Sequence, residues 1–399
     1  MRLALLTTRL FERPTSGGEL CTARLLLALA EGNHELTCIG HGRAAMRAFG
    51  VAATLSLGDE VLPFAQLPLR RRVALLARVL LSGQATTAWR HSGPRAPGRV
   101  RAWLAEACRR GLDAVIVDHL QPWAWLTPAP PMQPLVLMHN LESRLYAEQA
   151  ATAGTPARAW LLREARLLAR IERRMFEHAA GVACLSERDA RALREQAAAR
   201  GRVPPVTVLP GFPLAAPTGG AHAPAAMRRV GMFGTWTWGP NRAALHWMLN
   251  EVLPRLPAAC RLVLAGRGLA ALRLPPGVQA LHEVADPSAF YDAVDVVALP
   301  ALQGSGVQEK AIEALASERV VVASPLALRG LAAGPSLGVH AACDAATFAR
   351  LCVEVPLALD APARAGRGAW AARRRALYAE RLAAWLALGA RPPTPGPGC

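Results

Sequence analysis

The stretch "VDVVALPALQGSGVQEKAIEALASERVVVAS", residues 294–324, decides the fold. An apolar run ends at Pro300, a Gly-rich turn follows, a helix begins near Val307, and a second apolar run closes the segment. A short continuous apolar run reads as a strand buried on both faces, and a helix carrying its charges on one side packs the other side on that strand. Strand, turn, helix and strand in this order make one unit of a parallel α/β sheet. The segment also holds Lys310, the only lysine in the chain; every other residue of the Lys+Arg total of 46 is arginine. Lys310 stands three residues before Glu313, so the two share a helix face. They can form a surface ion pair worth about 0.2–0.5 kcal/mol. They can also complete an anion site with the backbone amides of Ser305, Gly306 and Val307, with amides and Lys on phosphate and the carboxylate on ribose hydroxyls. A compact ammonium is not freely exchanged for a planar guanidinium.

The same alternation extends outward. Upstream lie strand "VGMFG", helix "NRAALHWMLNEVLPRL", strands "RLVLAG" and "VQALHEV", and helix "PSAFYDA". Before these, "VLPGFPLAAPTGGAHAPAAMRR" is rich in Pro, Gly and Ala and reads as a linker. The N-terminal part repeats the pattern: strand "LALLTT", helix "GGELCTARLLLALAEGNH", strands "ELTCIGHG", "DAVIVDHL" and "PLVLMHNL", the long helix "ARAWLLREARLLARIERRMFEHAA", strand "GVACLS" and helix "ERDARALREQAAARG". A chain of 399 residues exceeds one ordinary core and fits two domains of roughly 150–200 residues each. The expected division is 1–204, a linker over 205–227, and 228–368. A final amphipathic helix near 369–390 and a disordered tail, 391–399, complete the chain.

Apolar residues make up 52% and charged residues 19%, which excludes a disordered polyelectrolyte. The net charge of +17 favours anionic partners. It concentrates between Arg70 and Arg110, where Glu106 is the one acid. "PLRRRVALLARVLL" reads as a basic, apolar helix suited to an anionic membrane surface. Nucleic acid is disfavoured, because no recognition motif accompanies the charge. The eight cysteines are scattered without CxxC or Cys/His zinc spacing, and buried thiols are expected. "MRLALLTTRLFERP" is too short in its apolar run for a signal peptide, and no stretch reaches the roughly 18 apolar residues of a membrane span.

Open α/β sheets bind ligands at the carboxyl ends of their strands, and three further clusters stand there. Ser16, Gly17 and Gly18 begin a helix; they form either an anion site or a plain capped start. "GRGLAA", Gly266–Ala271, matches a dinucleotide fingerprint, but Pro275 and Pro276 stop any helix that could seat a pyrophosphate. "HNLES" places His139, Asn140 and Glu142 after a strand, as a structural histidine or as a hydrogen-bonding, acid–base group.

These residues resemble the family 4 retaining glycosyltransferases of GT-B fold, most closely the branch of exopolysaccharide and lipid-linked glycan synthesis. The resemblance covers almost the whole chain. It is carried by "SGGELCTARLLLALAEGNHELTCIG", "HNLESRL", "CLSERDA", "FGTWTWGPNRAALHWMLNEVLPRL" and, most specifically, residues 284–331 with their G-S-G, Lys and E-A. It implies two Rossmann-like doubly wound domains facing a cleft, with the last helix crossing back to the N-terminal domain. That domain would take a lipid-linked or saccharide acceptor, and the C-terminal domain a UDP- or GDP-sugar. Transfer would proceed with retention, without a metal or other cofactor; the lack of an Asp-x-Asp pair agrees. Lys310 would neutralise the departing diphosphate, Glu313 would hold the ribose, and His139 would stabilise the developing oxocarbenium ion. Gly17, Gly18, Gly234, Asn241, Arg242, Arg267, Glu283, Val284, Ser305, Gly306 and Val307 would contact the donor, and Asn140, Glu142 and Ser186 the acceptor side. The implied place is cytoplasmic, on the inner face of the membrane.

The chain departs from that pattern in three places. Ser305 stands where many members have a second Glu, "PGF" at Pro210–Phe212 replaces Pro-Asn-Gly, and "TWTWGPNR" replaces a basic pair, which places more of the phosphate contact on Lys310. Two other functions compete with the one implied: glycosylation of a small natural product, and a pyridoxal-phosphate Schiff base at Lys310.

Overall fold

The computed structural model describes residues 1–390, apart from 63, 93–94, 128–129, 152, 199–203, 215–226, 283–286 and 304–306. The chain divides into two compact units, Met1–Leu209 with Ala379–Cys399, and Pro210–Tyr378.

The first unit is built on seven parallel strands: β1 (Arg2–Arg9), β2 (Glu35–His41), β3 (Ala53–Ser56), β4 (Ala114–Asp118), β5 (Leu135–Met138), β6 (Gly181–Cys184) and β7 (Val206–Val208). Their order is β3-β2-β1-β4-β5-β6-β7. Every residue of β4, β5 and β6 is buried, which is why these segments read as continuous apolar runs. The chain leaves β1 towards β2 and β3, then returns to add β4 on the other side. The strand order therefore reverses between β1 and β4, and the crevice beyond their carboxyl ends is where such sheets hold ligands.

Helix Gly17–Glu31 connects β1 to β2. Helix Leu69–Ser82 forms where the basic segment predicts one. Only Val79 of this helix is buried, while Leu69, Val73, Leu80 and Leu81 are exposed at 71%, 58%, 57% and 89%. The last helix, Ala361–Gly389, begins earlier than the 369 expected from the sequence. From Ala379 it belongs to the first unit, where Trp385 is fully buried. A Cβ at Gly181 would lie 2.7 Å from Leu388, and one at Gly389 would lie 2.6 Å from Leu135. Glycine at both positions lets the helix backbone approach β5 and β6.

The second unit has six parallel strands: β8 (Arg228–Phe233), β9 (Cys260–Ala265), β10 (Val278–Ala280), β11 (Val296–Leu299), β12 (Val320–Ala323) and β13 (Val339–Ala341). Their order is β10-β9-β8-β11-β12-β13, reversing between β8 and β11. Side chains alternate across a strand, and both faces of this sheet are covered. Leu262, Leu264, Val296, Ala298, Val320 and Val322 pack into one core, and Val263, Ala265, Val297, Leu299, Val321 and Ala323 into the other.

Two expectations need correction. Val206–Val208 falls in the segment read as linker, yet it pairs with β6 as the seventh strand, because three alternating residues suffice for an edge. The helix after the Gly-rich turn is Glu309–Ala316, two residues later than the Val307 start, with Gln308 in extended conformation before it. The tail 391–399 lies outside the described residues, as does most of the linker.

Candidate active site

In the second unit the reversal point is framed by the loop after β8 and the helix after β11. Lys310, in the first turn of helix Glu309–Ala316, donates its Nζ to Asn241 Oδ1 at 3.0 Å. Asn241, in the first turn of helix Gly239–Trp247, donates its Nδ2 to the Thr235 carbonyl at 3.0 Å. Each polar end of the amide thus has a partner, and the two helices are tied at their N-terminal turns. Gly234 makes room for this: a Cβ there would lie 2.9 Å from Asn241 Nδ2. Gly266 fits as tightly, with φ of 115° and a Cβ position 2.1 Å from the Gly234 carbonyl oxygen.

Burial pulls the Lys310 pKa down to about 8. Among the described residues one neutral acceptor takes one of its three N–H bonds, and the group gains most from an anion that restores the solvation it has lost. Glu313 lies one turn on, half-buried. Near it, the buried Tyr291 hydroxyl has no hydrogen-bond partner among the described residues. Burial, and then the Glu313 charge, raise the pKa of that hydroxyl well above the usual tyrosine range.

Other residues expected at the donor site are placed less directly. Arg242 is exposed and Arg267 half-buried, with the Arg267 carbonyl accepting from Trp236 N at 2.8 Å. Val307 packs half-buried against the core. Glu283, Val284, Ser305 and Gly306 lie outside the described residues. The Gly266–Ala271 fingerprint ends in a single 3₁₀ turn, Leu269–Ala271, and leads into strand β10 and not a helix, so it offers no dipole to a pyrophosphate.

In the first unit the reversal point between β1 and β4 holds a buried polar cluster that sequence patterns did not assemble. Asp118, the last residue of β4, is fully buried. Its Oδ1 accepts from His139 Nε2 at 2.6 Å, and its Oδ2 accepts from Thr7 Oγ1 at 2.8 Å and Thr22 Oγ1 at 2.6 Å. Burial alone would raise the Asp118 pKa; the neighbouring imidazoles and the hydrogen bonds from His139 and Thr22 outweigh it and hold the carboxyl well below the usual range. His119, at φ of 73°, stacks on His139 with ring centroids 3.6 Å apart and planes 23° apart. Burial pushes the His119 pKa down to about 3.

Asp118, His119 and His139 bring ligand atoms within 4.8 Å of one another, a grouping that could hold a metal ion. Stacked rings, however, send their nitrogen lone pairs side by side and not towards a common point, while Asp118 Oδ2 is taken by two hydroxyls. The arrangement fits a carboxylate–imidazole pair better than a metal centre.

Gly17 and Gly18 open helix Gly17–Glu31 beside this cluster. The Ser16 side chain accepts from Glu19 N at 3.3 Å, and the Glu19 carboxylate accepts from Thr15 N at 2.6 Å. This helix start is already capped and carries an acid, which favours the capped start over an anion site. A Cβ at Gly18 would lie 3.0 Å from His119 Cε1 and 3.7 Å from His139 Nδ1, so glycine here spares both rings a methyl group. Asn140 is half-buried after His139. Glu142 has its pKa raised to about 7, first by burial and then by Glu172, whose buried carboxylate accepts from Ser143 N at 3.0 Å. Ser186 is occupied otherwise: its hydroxyl donates to Asp189 Oδ2 at 2.6 Å and accepts from Asp189 N at 3.1 Å, starting helix Glu187–Ala198.

His139, Lys310 and Glu313 were legible as strand-end or helix-start residues, while Gly234 and Asn241 entered through the resemblance. Thr7, Thr22, Asp118 and Tyr291 were not legible. The one available signal was "VDH", a charged and a polar residue ending an apolar strand.

Residues 227–355 match the family model described as "Glycosyl transferases group 1". No curated protein matches the chain. Among solved structures, HepE from Anabaena in complex with UDP-glucose is similar, with 14% identity and a TM-score of 0.58 over 96% of this chain and 100% of that one. The same protein in complex with UDP and glucose gives the same values. OtsA in its apo form is similar with 14% identity and a TM-score of 0.56, over 98% of this chain and 100% of that one. At such identities the likeness is one of fold: the chain has the two parallel-sheet, Rossmann-like domains of the GT-B glycosyltransferases.

Proposed function

We propose that this protein transfers a sugar from a nucleoside-diphosphate sugar to a hydroxyl acceptor. The observation that carries the proposal is the desolvated Lys310, held on Asn241 at the reversal point of the second sheet, inside the segment that matches group 1 glycosyl transferases. Lys310 would bind the diphosphate and neutralise it as it leaves, and Glu313, one turn on, would accept from the ribose hydroxyls. The complexes of HepE with UDP-glucose and with UDP support a UDP-sugar as the first donor to try. Retention at the anomeric carbon, and transfer without metal or cofactor, are part of the proposal. His139 would stand by the transferred sugar.

For the acceptor we favour a lipid-linked or saccharide hydroxyl, with the protein on the cytoplasmic face of a membrane. Support comes from helix Leu69–Ser82, where Leu69, Val73, Leu80 and Leu81 stand exposed among Arg70, Arg71 and Arg78. Apolar and basic groups on one exposed surface suit an anionic lipid interface. Among the described residues no helix is long and apolar enough to cross a membrane. A small natural-product acceptor is the alternative, favoured if vesicles of anionic lipid do not bind the protein.

A thermal-shift screen of UDP-, GDP- and ADP-sugars tests the donor site. A nucleotide sugar should raise the melting temperature of the wild type, and Lys310→Ala and Glu313→Ala should abolish or reduce the shift. Equal shifts in all three proteins would remove both residues from the site.

A further inference from the structure

The cluster at the reversal point of the first sheet specifies more than proximity. Asp118 is completely buried and surrounded by donors: His139 Nε2 on Oδ1, with Thr7 Oγ1 and Thr22 Oγ1 on Oδ2. A carboxylate that accepts three hydrogen bonds is held ionised and has no proton of its own to give. The 2.6 Å contact to His139 must then carry its hydrogen on the histidine side. A neutral imidazole has one N–H, so with Nε2 protonated the Nδ1 atom is a bare lone pair. His139 is 6% exposed, and its Nδ1 is buried with no partner among the described residues. A buried acceptor left unsatisfied is costly, and fixed networks that tolerate such a cost are candidates for a functional role. The atom lies beside Gly18, whose Cβ, if present, would be 3.7 Å away. His119 stacks flat on the ring and limits its rotation.

We infer that Asp118 is a positioning residue: it fixes His139 as the Nε2–H tautomer, so that Nδ1 is presented beside Gly18 as the hydrogen-bond acceptor for a substrate hydroxyl. The inference rests on the sugar-transfer function proposed above, and it adds which ring nitrogen meets the substrate and which residue decides this. The bare lone pair is the negative end of the imidazole, and the carboxylate behind it strengthens its pull on a hydroxyl proton. Thr7 and Thr22 act one step further out by occupying Oδ2, which leaves Oδ1 for the histidine.

The test combines a spectrum with turnover. In long-range ¹H–¹⁵N spectra of the full chain labelled with ¹⁵N-histidine, the signals lost in His139→Gln identify His139. They should show a protonated Nε2 and a bare Nδ1 in the wild type. Asp118→Asn, which can donate from its amide to Nε2, should shift His139 towards the Nδ1–H form. It should also lower the kcat for UDP-glucose consumption by about tenfold or more, with UDP affinity within about twofold of wild type. His139→Gln keeps a donor towards Asp118 but has no equivalent of Nδ1; it should lose turnover and retain UDP binding, which keeps the test valid if Asp118→Asn does not fold.

A wild-type spectrum showing Nδ1–H overturns the inference. So does an Asp118→Asn protein with a switched tautomer and unchanged kcat. A wild type that neither binds UDP nor consumes any nucleotide sugar overturns the sugar-transfer function instead, while the spectrum still decides the tautomer.

Discussion

Lys310→Met should stabilise the unliganded protein at neutral pH while destroying its response to nucleotide. The gap between the ordinary lysine pKa of 10.5 and the value of about 8 that burial imposes corresponds to about 3 kcal/mol, at about 1.4 kcal/mol per tenfold. This is the cost of keeping the ammonium charged in the folded state. Methionine fills the same space without that cost but leaves Asn241 Oδ1 unpaired, which returns about 1 kcal/mol. Lys310 is half-buried and not sealed, so solvent screening trims the remainder to about 1–2 kcal/mol of net gain. The sign depends on pH. The folded pKa lies below the unfolded one, so the wild type carries its full penalty below about pH 8 and loses it as pH rises towards 10.5. The advantage of the variant should be complete at pH 7 and gone, or reversed, by pH 10. Urea unfolding followed by tryptophan fluorescence at both pH values measures this, because Trp236, Trp247 and Trp370 all lie in the unit that contains Lys310. A variant less stable than wild type at pH 7, or a gain independent of pH, would refute the reasoning. With UDP added, only the wild type should move.

Two further outcomes follow from the described geometry. Glu142 has a pKa raised from 4.5 to about 7 by burial and Glu172, so its ionisation opposes folding increasingly as pH rises through that interval. Glu142→Gln should raise the unfolding free energy at pH 8 by about 1 kcal/mol after discounting for partial exposure, and leave it nearly unchanged at pH 4.5, as measured by urea titration. Gly266→Ala should cost about 3 kcal/mol or more in the same assay, because φ of 115° strains any side chain and the new Cβ would overlap the Gly234 carbonyl oxygen. A cost below about 1 kcal/mol would mean that the two loops separate easily.

The doubly wound architecture was legible because both faces of each sheet are covered. Segments such as Val296–Leu299 and Val320–Ala323 are apolar at every position, as a short strand must be when helices cover it above and below. Edge strands β7 and β13 escaped although β10, equally short, was read within "VQALHEV": β7 and β13 are three residues each, and β13 contains His340 half-exposed, so neither length nor periodicity marks them. The second unit's site was readable because Lys310 and Glu313 are neighbours in sequence. Asn241, 69 positions from Lys310, entered through the resemblance alone. Asp118 was out of reach in a stronger sense. Its partners Thr7 and Thr22 stand 111 and 96 positions away, and nothing in "DAVIVDHL" distinguishes a carboxylate that ends a strand in solvent from one enclosed by two hydroxyls and an imidazole.

The division of the chain also bears on its synthesis. The first unit needs residues from both ends of the polypeptide, because Trp385 and Leu388 of the last helix cover β5 and β6 at Leu135 and Gly181. On the ribosome those strands emerge with Leu209 and then wait for the whole second unit to be translated before their cover exists. At about 5–20 residues per second the interval is roughly 10–40 s. For that time an apolar sheet face built for a helix stays bare, and transiently exposed surface of this kind is where folding intermediates aggregate.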